Sequence, residues 1–313
     1  MKPVPFLLVF LMCLLTACTL PPRASEAQRP YGVGYNFHVH AESLLLQEDR
    51  PMHWCQGVAE TSDSLFVFHD NHIVVAAITV IPEDCVDSVW VKVARDQFTM
   101  GWTHETDLLA AASPDDPISQ AIRLLSTPLV QWLLSLLTVF LMMALCVSLR
   151  LRHPAALPVL RDIPTMNPTL LMICLLASLC FYAVIQQQSP ELWAQFYFHP
   201  TLNPFSQPWQ LCLFLASLWL TLLLAILCVD DAFSLLSARH AVIYLLARCD
   251  LLLLLLLLAR RLSPTLLFLC SVSLGCVLLY RYWHHARPLY TCGSCGAPLR
   301  HKGTCPHCGV IND

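Results

Sequence analysis

The sequence predicts a multi-domain membrane protein: a small all-β domain, then a five-helix α-helical transmembrane bundle, then a short cysteine-rich module at the C-terminus. Three observations predict it. Of the 313 residues 57% are hydrophobic and only 12% charged, with a mean hydropathy of +0.60, more apolar surface than a soluble core of this length would use. Runs long enough to cross a bilayer begin only after residue 127, whereas the stretch before them alternates in the manner of strands. Two CxxC pairs and four of the nine glycines fall within residues 288–313.

The charge balance argues against one class early. Net charge is −3, and three lysines stand beside fifteen arginines without forming a basic stripe, so no nucleic-acid partner is expected.

The chain starts with a basic residue, Lys2, and a short apolar run from Phe6 to Leu15 that is too brief to span a bilayer, followed by small residues before Cys18. Residues 1–17 read as a lipoprotein-type signal peptide, because Leu15-Thr16-Ala17-Cys18 resembles a bacterial lipobox; ordinary signal cleavage or an uncleaved anchor is the alternative. The resemblance implies lipidation at Cys18, membrane lipid as the first partner, and export of the domain C-terminal to it. Residues 18–34, with Pro21, Pro22 and Pro30, suit a lipid-anchored tether.

Residues 35–110 read as an exported β domain. Leu65–Phe68 and Ile73–Ile81 are β-branched or aromatic runs around His69-Asp70-Asn71-His72, which is expected to be a hairpin turn. Val89, Val91 and Val93 alternate with Ser88, Trp90 and Lys92, so one face of this strand is expected to be buried. Gly101-Trp102-Thr103-His104 comes next, then Leu108-Leu109. This order is similar to bacterial Src-homology-3-like barrels, which implies binding of an envelope or cell-wall ligand rather than catalysis. Cys55 and Cys85 are a possible disulfide, with two free thiols the alternative. His38 and His40 fall on one face of a strand. No catalytic motif is visible.

Asp116-Pro117 has the form of a helix N-cap, and Ile118, Ile122 and Leu125 share one face, so a juxtamembrane helix is expected within 111–127. Transmembrane helices are expected at 128–149, 168–187, 209–229, 241–259 and 264–282. An exported start and five crossings predict a cytosolic C-terminus, and eight basic residues (Arg150, Arg152, Arg161, Arg239, Arg281, Arg287, Arg300, Lys302) in the inner segments against two (Arg260, Arg261) in the outer ones agree; with the lipobox resemblance, the expected location is a bacterial inner membrane. Arg248 and Asp250 interrupt the fourth span and are a possible intramembrane polar site. The duller expectation has Arg248 snorkelling or meeting Asp230 or Asp231, with Asp250 hydrogen-bonded in the bundle. Between the second and third spans, Glu191–Trp209 is dense in aromatics, which are expected to anchor at the bilayer boundary; the alternative is a recognition loop whose Trp193, Tyr197, Phe198 and His199 meet a ligand or the β domain.

In the tail, Cys292-Gly293-Ser294-Cys295 and Cys305-Pro306-His307-Cys308 each let two thiolates converge on one ion. Residues 288–313 resemble a minimal zinc ribbon of the rubredoxin-knuckle type, which implies one structural zinc on Cys292, Cys295, Cys305 and Cys308. The whole arrangement, including the segment "FYFHPTLNPF", resembles zinc-ribbon multi-pass membrane lipoproteins of Bacteroidales-type bacteria. That resemblance implies an architecture and no activity. The expected function is a non-enzymatic inner-membrane adaptor or sensor with a protein partner on the cytosolic side. The alternative is a small transporter or intramembrane enzyme using Arg248 and Asp250.

Overall fold

A computed structural model describes residues 20, 29–48, 64–82, 84–151, 165–259, 262–287, 289–299, 302–305 and 308–312. The leader, Cys18 and Cys55 lie outside the described residues. Two compact units are present, one formed within Thr19–Ser126 and Pro190–Thr201, the other within Thr127–Ser189 and Leu202–Asp313.

The first unit is a curled antiparallel sheet of seven strands: β1 (Asn36–Val39), β2 (Ser43–Gln47), β3 (Ser64–Phe68), β4 (His72–Val80), β5 (Val89–Ala94), β6 (Met100–His104) and β7 (Ala112–Pro114). Their spatial order is β3-β2-β6-β5-β4-β1-β7. β4, β5 and β6 form a meander rich in β-branched residues, which suit a pleated surface packed on one side. The chain then makes a short helix, α1 (Glu105–Ala111), and returns as β7 to pair with β1. Phe37, Val39, Leu46, Val67, Ile73, Val91, Val93 and Leu108 have no exposed surface and form the core. In β2, Leu44 and Leu46 point inward while Leu45 is exposed, the period of two that a half-buried strand requires.

Three expectations change here. β3 and β4 are joined by a tight turn, with Asp70 at a φ of 68°, but they are not a hairpin: β3 pairs with β2 and β4 with β1. The turn's backbone groups are taken by β1, since Asp70 N–H donates to Val39 O and Val39 N–H to Asn71 O, each at 2.9 Å. Trp90 is buried along with the valines around it, because Asp84 and His104 cover the second face of β5. The sheet also extends past residue 110, through β7.

The remaining helices are α2 (Pro117–Ser126), α3 (Pro128–Leu151), α4 (Asn167–Gln188), α5 (Pro190–Phe198), α6 (Trp209–Leu235), α7 (Ala238–Ala259) and α8 (Pro264–Arg281). Pro117, Pro128, Pro168, Pro190 and Pro264 stand in their first turns, where the missing N–H has no helical partner to lose. Asp116 Oδ1 accepts from Ile118 N–H at 2.8 Å, capping α2 as its sequence suggests. Among the described residues four helices are long and apolar enough to cross a membrane: Asn167–Gln188, Trp209–Leu235, His240–Ala259 and the stretch Pro264–His284. The expected first span is a fifth only if α2 and α3, broken at Thr127, count as one.

The helical unit packs on α4, α6 and α7. Leu171, Leu175 and Leu179 meet Leu224, Ala225 and Cys228, with Tyr244, Leu252 and Leu256 closing the cluster. Small Ala225 and Ala232 allow close approach, and Ser178 Oγ donates to Ser217 Oγ at 2.9 Å between α4 and α6. Of the four long apolar helices α8 is the least buried, with only Leu267 and Ser271 inside the protein.

Candidate functional site

The C-terminal module is one turn used twice. Cys292 N–H donates to Ala297 O at 2.8 Å and Gly296 N–H to Cys292 O at 2.9 Å. Cys305 N–H repeats the pattern to Val310 O, and Gly309 N–H to Cys305 O, each at 2.8 Å. Gly296 and Gly309 close the turns at φ values of 69° and 74°, where a Cβ would be strained. Two two-stranded ladders frame them: β8 (Tyr290–Thr291) with β9 (Pro298–Leu299), and β10 (Gly303–Thr304) with β11 (Ile311–Asn312).

These turns bring the four predicted cysteines together, with all Sγ atoms within 4.8 Å of one another. Cys292 and Cys308 are 3.6 Å apart and Cys295 and Cys305 3.7 Å. A disulfide needs about 2.05 Å. Tetrahedral coordination with metal–sulfur bonds of about 2.3 Å needs edges of about 3.8 Å, so the spacing fits a metal. Cys292 and Cys305 are buried and Cys295 and Cys308 exposed, one of each kind per pair.

The electrostatics point the same way. The backbone amides of Cys295 and Ser294 face Cys292 and lower its thiol to about 6. The Ala297 amide pulls Cys295 down, but Cys308, burial, Cys292 and Cys305 outweigh it and raise that thiol to about 12. Four sulfurs this close oppose one another's ionisation, and a divalent cation at their centre would relieve the opposition.

Asn312 is a site residue that sequence reasoning missed. Its Nδ2 donates to Cys292 Sγ at 3.4 Å and to Val310 O at 3.1 Å, while its Oδ1 accepts from Gly293 N–H at 3.0 Å. It thus ties the second turn to the first and orients a ligand. Leu299 holds the matching place in the first turn, so the repeat carried no hint of it.

The β unit has a concave site of about 360 Å³, lined by Gln47, Trp90, Trp102, His104 and Asp107. Asp84 Oδ2 accepts from Trp90 Nε1 at 2.8 Å and lies 3.2 Å from His104 Nε2. Burial alone would raise the Asp84 carboxyl, but the Val86 amide, Trp90, His104 and the Asp87 amide together lower it. His38 and His40 go separate ways. His38 Nε2 meets Asp70 Oδ1 at 2.9 Å, whereas the buried His40 Nδ1 makes no hydrogen bond. Cys85 is disulfide-bonded; its expected partner, Cys55, is outside the described residues.

Arg248 and Asp250 are not a hydrogen-bonded pair. Arg248 lies over the Tyr244 ring, 5.1 Å from its centroid, and lines a cavity. Asp250 is 2% exposed, and neither carboxylate oxygen has a hydrogen-bond partner, which corrects the expectation that the bundle would satisfy it. Asp231 receives Asn167 Nδ2 at 2.8 Å.

The aromatic segment after α4 departs from the boundary-anchor expectation and follows the alternative, contact with the β domain. It forms α5, whose Trp193, Phe196, Tyr197 and Phe198 are buried. Phe198 stacks on Tyr31 at 5.3 Å and meets Phe37 edge-on at 6.2 Å, and its carbonyl accepts from Tyr35 OH. Trp193, Phe196 and Tyr197 stand at helical spacing behind a proline, a signal from which α5 was readable. No protein-family model, curated protein or solved structure matches the chain.

Proposed function

We propose that the protein is a non-enzymatic inner-membrane adaptor or sensor. Its exported β unit binds an envelope or cell-wall ligand, and its cytosolic ribbon, built on a structural zinc, contacts a protein partner. The observation that carries this reading is the closed set of four sulfurs: with every tetrahedral position taken, a metal there shapes a surface and activates no substrate. Thiolate ligands and tetrahedral spacing favour zinc, with iron the competing ion.

A three-strand meander, a short helix and a final strand returning to β1 support a Src-homology-3-like barrel, and the aromatic cleft at Trp90 and Trp102 is its ligand site. The excess of arginine in the expected inner segments supports a cytosolic C-terminus, provided that α2 and α3 act as one crossing and make the number odd. A lipid on Cys18 would hold the other end to the bilayer, in keeping with the lipoprotein resemblance.

In-cell crosslinking with mass spectrometry tests the reading, comparing the intact protein with a Cys305→Ser, Cys308→Ser variant of matched abundance. A cytosolic protein captured only by the intact form is expected. Identical capture by both would reduce the ribbon to a local staple and end the adaptor reading. A second reading, a transporter or intramembrane enzyme, is favoured by the unpartnered carboxylate of Asp250 alone.

A further inference from the structure

At the end of the helical unit where α4 and α7 begin and α8 finishes, the helices enclose a cavity of about 430 Å³. Arg248 of α7 and Arg281 of α8 both line it, and none of its described lining residues is acidic. Thr165, just before α4, also lines it, and its buried Oγ1 makes no hydrogen bond. We propose that this cavity binds the phosphate of an anionic lipid headgroup. The proposal does not depend on the adaptor reading.

Two guanidinium groups and a hydroxyl are a donor set for phosphate oxygens, and guanidinium matches them in bidentate fashion. The size falls within the range of small-molecule sites and far exceeds a single water. The walls choose between a lipid and a free anion. Leu251, Leu274, Val277 and Leu278 line the same space, an apolar surface that a hydrated inorganic anion would not use but the start of an acyl chain would. Depth agrees. Arg281 is near the end of the stretch Pro264–His284, and Arg248 is eight residues into His240–Ala259, about 12 Å at 1.5 Å per residue. The cations thus run inward from headgroup level, as basic inlets between membrane helices do when they hold charged lipid.

The test uses the purified full-length protein in detergent and native mass spectrometry. Short-chain phosphatidylglycerol, short-chain phosphatidylcholine and inorganic phosphate are the probes. Phosphatidylglycerol should be retained over phosphatidylcholine by about 10-fold, and Arg248→Gln and Arg281→Gln should each remove about that factor. Leu274→Trp, which fills the cavity and leaves both guanidinium groups in place, should also abolish retention. Arg287→Gln, outside the cavity, should not. Undiminished phosphatidylglycerol binding by arginine variants that melt like the wild type would overturn the proposal. Competition by inorganic phosphate at equal concentration would reassign the site to a soluble anion and overturn the lipid assignment. Where an arginine variant fails to fold, Leu274→Trp decides: unchanged retention overturns the proposal, and lost retention supports it.

Discussion

Ser119 Oγ donates to the Tyr197 carbonyl at 2.6 Å, joining α2 to α5 across 78 residues of sequence, and the serine has no exposed surface. Removing the hydroxyl leaves a buried carbonyl without this donor. Ser119→Ala should cost about 1–3 kcal/mol, read as a lower melting temperature and faster proteolysis of the β unit. A wild-type melting curve would mean that the α2–α5 contact does not hold this unit together.

Gly101 is required by space, not by backbone angle. A Cβ there would stand 2.7 Å from Gln47 O and 2.8 Å from Leu46 Cβ, where β6 passes β2. Gly101→Ala should therefore cost about 1–3 kcal/mol by overpacking. Gly32→Ala, with nothing within 4 Å, should change stability by less than about 0.5 kcal/mol. Hydrogen exchange along β2 is the sensitive probe.

His40 should make the β unit acid-sensitive. Burial first, then the positive charge of Arg123, lowers its pKa from 6.5 to about 4. A depressed histidine contributes stability that is complete above about pH 6.5 and is lost as pH falls toward about 4, because the unfolded chain takes up the proton first. His40→Gln should flatten the melting temperature across that window. Parallel slopes for the two proteins would show that His40 is not the sensor.

The tail should carry one divalent metal per chain, measured by elemental analysis, and Cys305→Ser should lose it. Asn312→Ala, which removes the donor to Cys292, should weaken affinity by about 10–100-fold while leaving all four ligands in place. Full occupancy in Cys305→Ser would refute a four-sulfur site.

Asp250 separates the two functional readings. As a carboxylate without a partner it is a cost to the fold, so Asp250→Leu should raise thermal stability in detergent by about 1–3 kcal/mol. Destabilisation would indicate that the carboxylate has a ligand or ion partner and would favour the transporter reading.

The features legible in the residues are those that depend on neighbours in sequence. The CxxC spacing, the Asp116 cap, the alternating valines of β5 and the apolar runs after residue 165 all state their structure locally. The features that were not legible depend on partners far away. The turn at Asp70 reads like a hairpin because nothing within ten residues reveals that Val39 takes its backbone groups. Trp90 reads as surface until Asp84 and His104 arrive to cover it. Asn312 has no counterpart in the first turn, and the cavity at Arg248 and Arg281 exists only once α7 and α8 lie together.

The order of synthesis adds a condition to the β unit. Trp193 and Phe198, both buried in the Pro190–Thr201 portion of that unit, leave the ribosome only after residues 127–189 have been made, a delay of several seconds at ~5–20 residues per second. During that interval Tyr31, Tyr35 and Phe37 lack the ring of Phe198, and Ser119 lacks its acceptor. The nascent sheet thus waits with an open aromatic seam while two helices are made. A fragment ending at Ser126 would keep that seam open for good.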